Sequence, residues 1–260
     1  MLSVLKKFVS SDGWVRLVSV GLFIALWYAA VLLPTKSVFP PPHVVIGLLA
    51  EDITSAAIWQ HLAITLTRIL LGFSLAMGIA VPVGIALGFV RPFQRLFGTW
   101  VLIGLMTPSL VFIILSYTSI GLNDAAAVVG AAVSVVSVLI VNIWESAKAV
   151  DFKLVQMARV FGLAPLQVVR RVVLPQLAPP LMASARFGLG LVWKMVLFVE
   201  LLGRSNGIGY QIEYYYQLFS MARVLEYTVF FVAIMLIIEI VILGGIERRL
   251  FRWRPSARLH

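Results

Sequence analysis

Long uncharged stretches, separated by short charged or proline-rich ones, organise this chain. Leu17 to Leu33 carries no charge, and Trp14, Trp27 and Tyr28 supply interfacial aromatics. This run is too long for a cleaved signal peptide, and Leu32-Leu33-Pro34-Thr35 is a poor cleavage site. Four prolines between Pro34 and Pro42 predict a rigid loop outside the membrane. His43 to Ile58 is short and amphipathic, and Glu51 and Asp52 keep it out of lipid. Ile69 to Val90 is uncharged, in a helix expected to start near His61 and to kink at Pro82. Its Gly72, Gly78, Gly84 and Gly88 predict close approach of a neighbouring helix. Leu96 to Asn123 is long for one span, and Thr107-Pro108-Ser109 predicts a break in it. Ala125 to Trp144 follows, then a charged segment from Glu145 to Arg171 with a Gly162 to Pro165 turn between two short helices. Leu181 to Leu202 is apolar but contains Arg186, Lys194 and Glu200. A turn at Ser205 to Gly209 leads into Tyr210, Tyr214, Tyr215 and Tyr216, and Val224 to Leu243 closes the series around Glu239.

A bilayer core about 30 Å thick takes roughly 20 helical residues. The pattern therefore predicts an all-α integral membrane protein, one domain over 1–260, with about six transmembrane helices. They lie near 14–33, 62–90, 96–115, 125–144, 181–203 and 224–246, with a two-helix loop at 145–180.

Composition agrees. Hydrophobic residues make up 61% of the chain and charged ones 12%, with a mean hydropathy of +1.01. A soluble domain of this length has too much surface to hide that share, so lipid is the solvent. Net charge is +10, which in a soluble protein would raise nucleic-acid binding. Here sixteen of the 21 basic residues fall on one side of the predicted topology. They include Lys6, Lys7, Arg91, Arg95, Lys148, Arg170 and Arg171, and five arginines of the tail after Glu247. The positive-inside bias makes that side the cytoplasm, with both termini there, in an inner membrane and with no nucleic-acid partner.

Several chemistries are missing. Cysteine is absent, so thiolate sites and disulfides are excluded. There is no G-x-x-x-x-G-K-[ST] loop for ATP and no H-E-x-x-H pair. The three histidines, His43, His61 and His260, lie beside the outer loop or at the terminus, so no metal site and no catalytic residues are expected. Intramembrane charges cost on the order of 2.5–3.5 kcal/mol each by insertion scales, so Arg68, Lys194, Glu200 and Glu239 need partners, water or a task. Lys194 either pairs with another helix or projects into a pathway and attracts an anion. Arg68 reads as an outer-interfacial residue with a structural role, and Glu200, near the outer end, as a packing, helix-end or pathway residue.

The segment after Glu145 is the most specific. It reads Gln156-Met157-Ala158, three residues, Gly162-Leu163, then Val172, one residue, and Leu174-Pro175. This spacing resembles the EAA loop of ATP-binding-cassette importer permeases, with Gln156 and Met157 in place of Glu and Ala. In that loop Ala158 would keep a gripping face low, Gly162 allow the turn, and Pro175 end the second helix. The likeness runs along most of the chain and is nearest the nitrate, sulfonate and taurine branch. Phe39-Pro40-Pro41-Pro42, Thr65-Leu66-Thr67-Arg68, Gly207-Ile208-Gly209 and Leu250-Phe251-Arg252-Trp253 are further pieces of it. The stretch from Pro108-Ser109 to Ile113 departs from the branch's usual Pro-rich, Trp-bearing sequence.

The resemblance implies a permease subunit, not an enzyme, with no cofactor of its own. Two ATPase subunits would bind ATP and hold the loop at Gln156, Met157, Ala158, Gly162, Leu163, Leu174 and Pro175. A second permease copy would complete a path involving Lys194, Glu200, Pro108 and Ser109, and a periplasmic binding protein would deliver a small anion such as a sulfonate or nitrate. The alternative from another class is an ion-gradient-driven carrier, kept open by the intramembrane charges and disfavoured by the absence of internal repeats.

Overall fold

A computed structural model describes residues 11–32 and 39–245. Lys6, Lys7, most of the Pro34 to Pro42 loop, His260 and the basic tail lie outside the described residues. Every described element is helical: α1 (Ser11–Val31), α2 (Pro42–Asp52), α3 (Ala56–Phe89), α4 (Arg91–Met106), α5 (Ser109–Ile120), α6 (Asp124–Lys148), α7 (Phe152–Val160), α8 (Pro165–Val168), α9 (Leu174–Gly203), α10 (Ile208–Gln217) and α11 (Met221–Ile237). Two π-helical turns, Val169–Val173 and Ile238–Leu243, join α8 to α9 and extend α11.

Four of these helices are long and apolar enough to cross a membrane, or five if α4 and α5 form one span. Six were expected, and the difference has two causes. The third expected span is two helices meeting at 97°, broken where Thr107 and Pro108 leave the helix. The fifth, α9, is 30 residues long but carries Arg186, Lys194 and Glu200, and it is not among the qualifying helices. Charge is accommodated there by pairing: Arg186 Nε donates to Glu239, and Glu200 meets Arg68 at 2.7 Å.

The residues form two compact units. One comprises residues 1–59 and 211–232. In it Trp27 Nε1 donates to the Pro40 carbonyl at 3.1 Å and Tyr28 shares a hydrogen bond with His43 Nδ1 at 3.1 Å, so the proline run is tied to the first helix. The short α2 is a helix of 11 residues that ends at Glu51 and Asp52.

The other unit comprises residues 60–210 and 233–260. Its central element is α6, whose buried face is built from Ala126, Ala127, Gly130, Ala131 and Ala132 before Val135, Leu139 and Ile143. Small side chains here let α3, α5 and α9 come close, the packing that membrane helices use where lipid removes the ordinary hydrophobic drive. At Gly84 an added Cβ would sit 2.8 Å from Ile143, and at Gly88 it would overlap Ala147, so two of the four glycines of α3 do admit a helix at contact distance. Gly72 makes only ordinary contacts and Gly78 faces open space. Meanwhile α3 passes through Pro82 as one 34-residue helix.

Candidate coupling and pathway sites

The segment after α6 folds as a small unit with its own core. Asp151 accepts from the Lys153 amide at 2.8 Å and starts α7. The end of α7 is a Schellman turn: Gly162 sits at φ +76°, its amide donates to Arg159 at 2.9 Å, and the Leu163 amide donates to Ala158 at 3.1 Å. Nothing lies near the place where a Gly162 side chain would go, so the requirement for glycine is one of backbone conformation. Pro165 then opens α8, and Gln167 Oε1 reaches back to the Ala164 amide at 3.1 Å. Val155, Ala158 and Val168 are buried together with Ala147, Val150 and Leu177, which anchors the turn to the end of α6 and the start of α9.

This placement corrects two expectations. Ala158 lies inside the unit, 5% exposed, where its size lets α7 pack on its own core rather than keeping an outer face low. Pro175 does not end the second helix. The chain continues from α8 through the π-helical turn into α9, and Pro175 sits in the first turn of α9, where a missing N–H is tolerated. Of the other residues singled out, Gln156, Met157, Gly162, Leu174 and Pro175 are exposed and Leu163 is half-buried. The outermost side chains were not singled out: Val160 is 86% exposed, Phe161 76% and Leu166 78%. Their signal was present in the sequence, as three apolar residues flanking a glycine turn within an otherwise charged segment.

At the other end of α9 lies a polar network with a buried centre, Arg68 and Glu200, and one exposed member, Asp124. Arg68 of α3 donates through Nη1 to Glu200 at 2.7 Å and to the Asn206 carbonyl at 2.9 Å, through Nη2 to Asp124 at 2.6 Å, and also to the Asn206 side chain. Glu200 is 0% exposed and Arg68 3%. Besides Arg68, Glu200 accepts from the Gly209 amide at 2.8 Å, and Thr65 Oγ1 lies 2.9 and 3.0 Å from its two oxygens. Thr65 in turn accepts from the Ile208 amide at 2.8 Å, and His61 Nδ1 accepts from the Gly207 amide at 3.0 Å. Three successive backbone N–H groups are thus each held by a polar side chain. Gly207, at φ +106°, has no room for a Cβ beside the Glu200 carboxyl, and a Cβ on Gly209 would come within 2.6 Å of the Leu197 carbonyl. Arg68 is therefore the centre of a packed network, the structural role expected of it. Glu200 shares that network and has no open surface.

Lys194 differs. It is exposed on α9, as are Phe187 and Phe198, and makes no ion pair among the described residues. Pro108 is exposed at the 97° bend, and Ser109 beside it is held across to α6 by the Ser134 hydroxyl, which donates to the Ser109 carbonyl at 3.1 Å.

Comparison with known proteins gives this geometry a context. The chain is 29% identical to a protein named as an aliphatic sulfonates transport permease, SsuC, of Escherichia coli (strain K12), over 91% of this chain and 90% of that one. The corresponding Bacillus subtilis (strain 168) protein is 26% identical over 94% and 89%. The taurine transport system permease protein TauC of Escherichia coli (strain K12) is 24% identical over 92% and 90%. The family described as binding-protein-dependent transport system inner membrane components matches residues 78–253. A multi-pass membrane chain with these helices and this match belongs to that family, the ABC importer permeases that work with separate ATPase and substrate-binding subunits.

Proposed function

We propose that the chain forms the translocation path for a small organic anion of the sulfonate type and couples it to ATP hydrolysis on partner subunits through the unit at 145–180. The observation that carries this reading is the apolar tip of that unit. Val160, Phe161 and Leu166 stand exposed on a turn that is anchored by its own buried core to α6 and α9. An apolar knob on a rigid base suits capture by a groove in a partner, and displacement of the knob would be passed directly to α9. The likeness to sulfonate and taurine permeases supports the substrate class. Two ATPase subunits would take one knob each, from this chain and from a second copy of it. The termini and the knob face the cytoplasm, in keeping with the distribution of basic residues. ATP is bound by the partners alone, and no cofactor is held by this chain. Lys194, exposed on α9, supplies the cation that the passing anion meets, on a path that also includes Pro108 and Ser109.

The test uses the complex reconstituted in liposomes. Phe161→Asp with Leu166→Asp should remove substrate-stimulated ATP hydrolysis and release the ATPase subunit during purification, while membrane insertion is unchanged. In the same assay Lys194→Met should lower transport at least tenfold and leave basal hydrolysis intact. Normal stimulation in the tip variant would overturn the coupling assignment, and normal transport in the Lys194 variant would remove that residue from the path.

A further inference from the structure

A cavity of about 450 Å³ lies along one face of α4, against the end of α6. Its α4 wall comprises Arg91, Gln94, Arg95, Thr99 and Leu102, spaced three and four apart, which is one helical stripe. Gly98 in the same stripe lets the Trp144 ring of α6 form the opposite wall, since a Cβ there would stand 3.4 Å from the indole. We propose that this cavity binds an anionic phospholipid, with the lipid phosphate between Arg91 and Arg95 and its glycerol and upper acyl region against Leu102 and Trp144.

Four observations carry it. First, Arg91 and Arg95 are exposed cations with no ion pair among the described residues. The nearby Glu145 is already taken by Lys148 at 2.7 Å, and Lys148 itself lies over the Trp144 ring at 4.3 Å. The local charge is therefore positive and uncompensated. Second, both arginines occupy the first turns of α4, which has neither an acidic residue there nor a side-chain cap. Two cations at the positive end of a helix repel its dipole, and a bound anion removes that penalty while using free backbone N–H groups.

Third, the stripe is graded. Arg91, Gln94 and Arg95 come first, then the Thr99 hydroxyl at the level where Gly98 meets the Trp144 ring, then Leu102, over a rise of about 16 Å from residue 91 to residue 102. A free anion would use only the first part of such a groove, whereas an amphiphile matches all of it. The Trp144 indole Nε1, buried in the same wall, has no hydrogen-bond partner among the described residues. Fourth, the far side of α4 exposes Leu96, Trp100 and Ile103, all apolar, a surface that lipid chains cover, so the groove opens on a helix that meets lipid. The turn between α3 and α4 follows an apolar helix long enough to cross a membrane, and the ends of such helices meet the headgroups.

The full-length chain, purified and delipidated in detergent, would be titrated with phosphatidylglycerol and with phosphatidylcholine and read by native mass spectrometry. The wild type should hold one phosphatidylglycerol at least tenfold more tightly than phosphatidylcholine. Arg91→Gln with Arg95→Gln should abolish that preference, and Arg91→Lys with Arg95→Lys should keep most of it. Arg170→Gln with Arg171→Gln, the same change in net charge on the loop, should leave it unchanged. An equal loss in both glutamine pairs would mean diffuse attraction to basic loops and would overturn the site. Displacement of phosphatidylglycerol by millimolar inorganic phosphate would mean a free-anion site and would overturn the lipid assignment.

Discussion

Two arginines in this molecule are each placed between two carboxylates, and they are finished very differently. In the unit of residues 60–210 and 233–260, Arg68 joins Glu200 and Asp124. In the unit of residues 1–59 and 211–232, Arg223 joins Glu226 at 2.9 Å and Asp52 at 2.8 Å, both through Nη1. Each set has a glutamate that is 0% exposed, Glu200 or Glu226. Around Glu200, a hydroxyl and a backbone amide supplement the guanidinium, and both oxygens are used. Around Glu226, Arg223 is the donor to Oε2, and Oε1 is buried without a hydrogen-bond partner. A buried ion pair offsets its desolvation only when the remaining lone pairs are also satisfied. The first network therefore fixes the geometry of α3, α9 and the turn at Gly207, while the second holds its helices more loosely.

That contrast is most easily broken at Arg68. Arg68→Met leaves Glu200 charged and buried with no cation, a situation that costs about 3–5 kcal/mol. The expected result is loss of most folded protein, read as the monodisperse fraction after heating in detergent. Arg223→Met also strips a buried glutamate, Glu226, of its cation, but should cost less, because Arg223 is 27% exposed against 3% for Arg68 and water can enter the place it vacates. Equal losses in the two variants would show that the completeness of the network makes no difference.

An intermediate effect is expected at Gly207. Alanine there must adopt φ near +106° and push the Glu200 carboxyl out of its place. The backbone strain alone is on the order of 1–3 kcal/mol, and the displaced carboxylate adds to it. Gly162→Ala carries the same kind of backbone strain, at φ +76°, but meets no neighbouring atom. It should lower the thermal midpoint less than Gly207→Ala, and a larger shift for Gly162→Ala would reverse the assignment of steric crowding to Gly207.

Much of this was readable in the residues themselves. Apolar run lengths located α1, α3, α6 and α11, because lipid imposes a single length scale on any chain that crosses it. Pro108 marked the 97° bend, and the Gly162 to Pro165 spacing marked the turn between α7 and α8, since both depend on local backbone constraints. Long-range pairing was not readable. Thr65, Arg68, Asp124, Glu200 and Gly209 are separated by up to 144 positions, and nothing in the sequence around any one of them names its partners. Helix faces were lost for a similar reason. Ala158 and Val160 are two positions apart on α7, yet one is 5% and the other 86% exposed, and which way α7 turns is decided by Val168 and Leu177 beneath it. The continuation of α8 into α9 escaped because proline reads as a stop, while a π-helical turn before Pro175 makes it a start.

The smallest effect separates the two glutamates themselves. Glutamine has nearly the shape of glutamate but replaces one acceptor oxygen with a donor. At position 200 both oxygens face donors, the Arg68 guanidinium, the Thr65 hydroxyl and the Gly209 amide. Wherever the new NH₂ points in Glu200→Gln, it meets an N–H or O–H, and a buried donor is left unpaired at a cost of about 1–3 kcal/mol. At position 226 the free Oε1 site has no donor to clash with, and the remaining oxygen still accepts from Arg223, which keeps Asp52 as its counter-charge. Glu226→Gln also removes a half-satisfied buried charge. Its change in stability should therefore stay within about 0.5 kcal/mol of zero, the range of ordinary surface substitutions. The pair of variants, measured side by side by thermal unfolding in one detergent, gives the difference directly. A Glu226→Gln loss as large as that of Glu200→Gln would mean that Oε1 has a donor after all and that the two networks are equally complete.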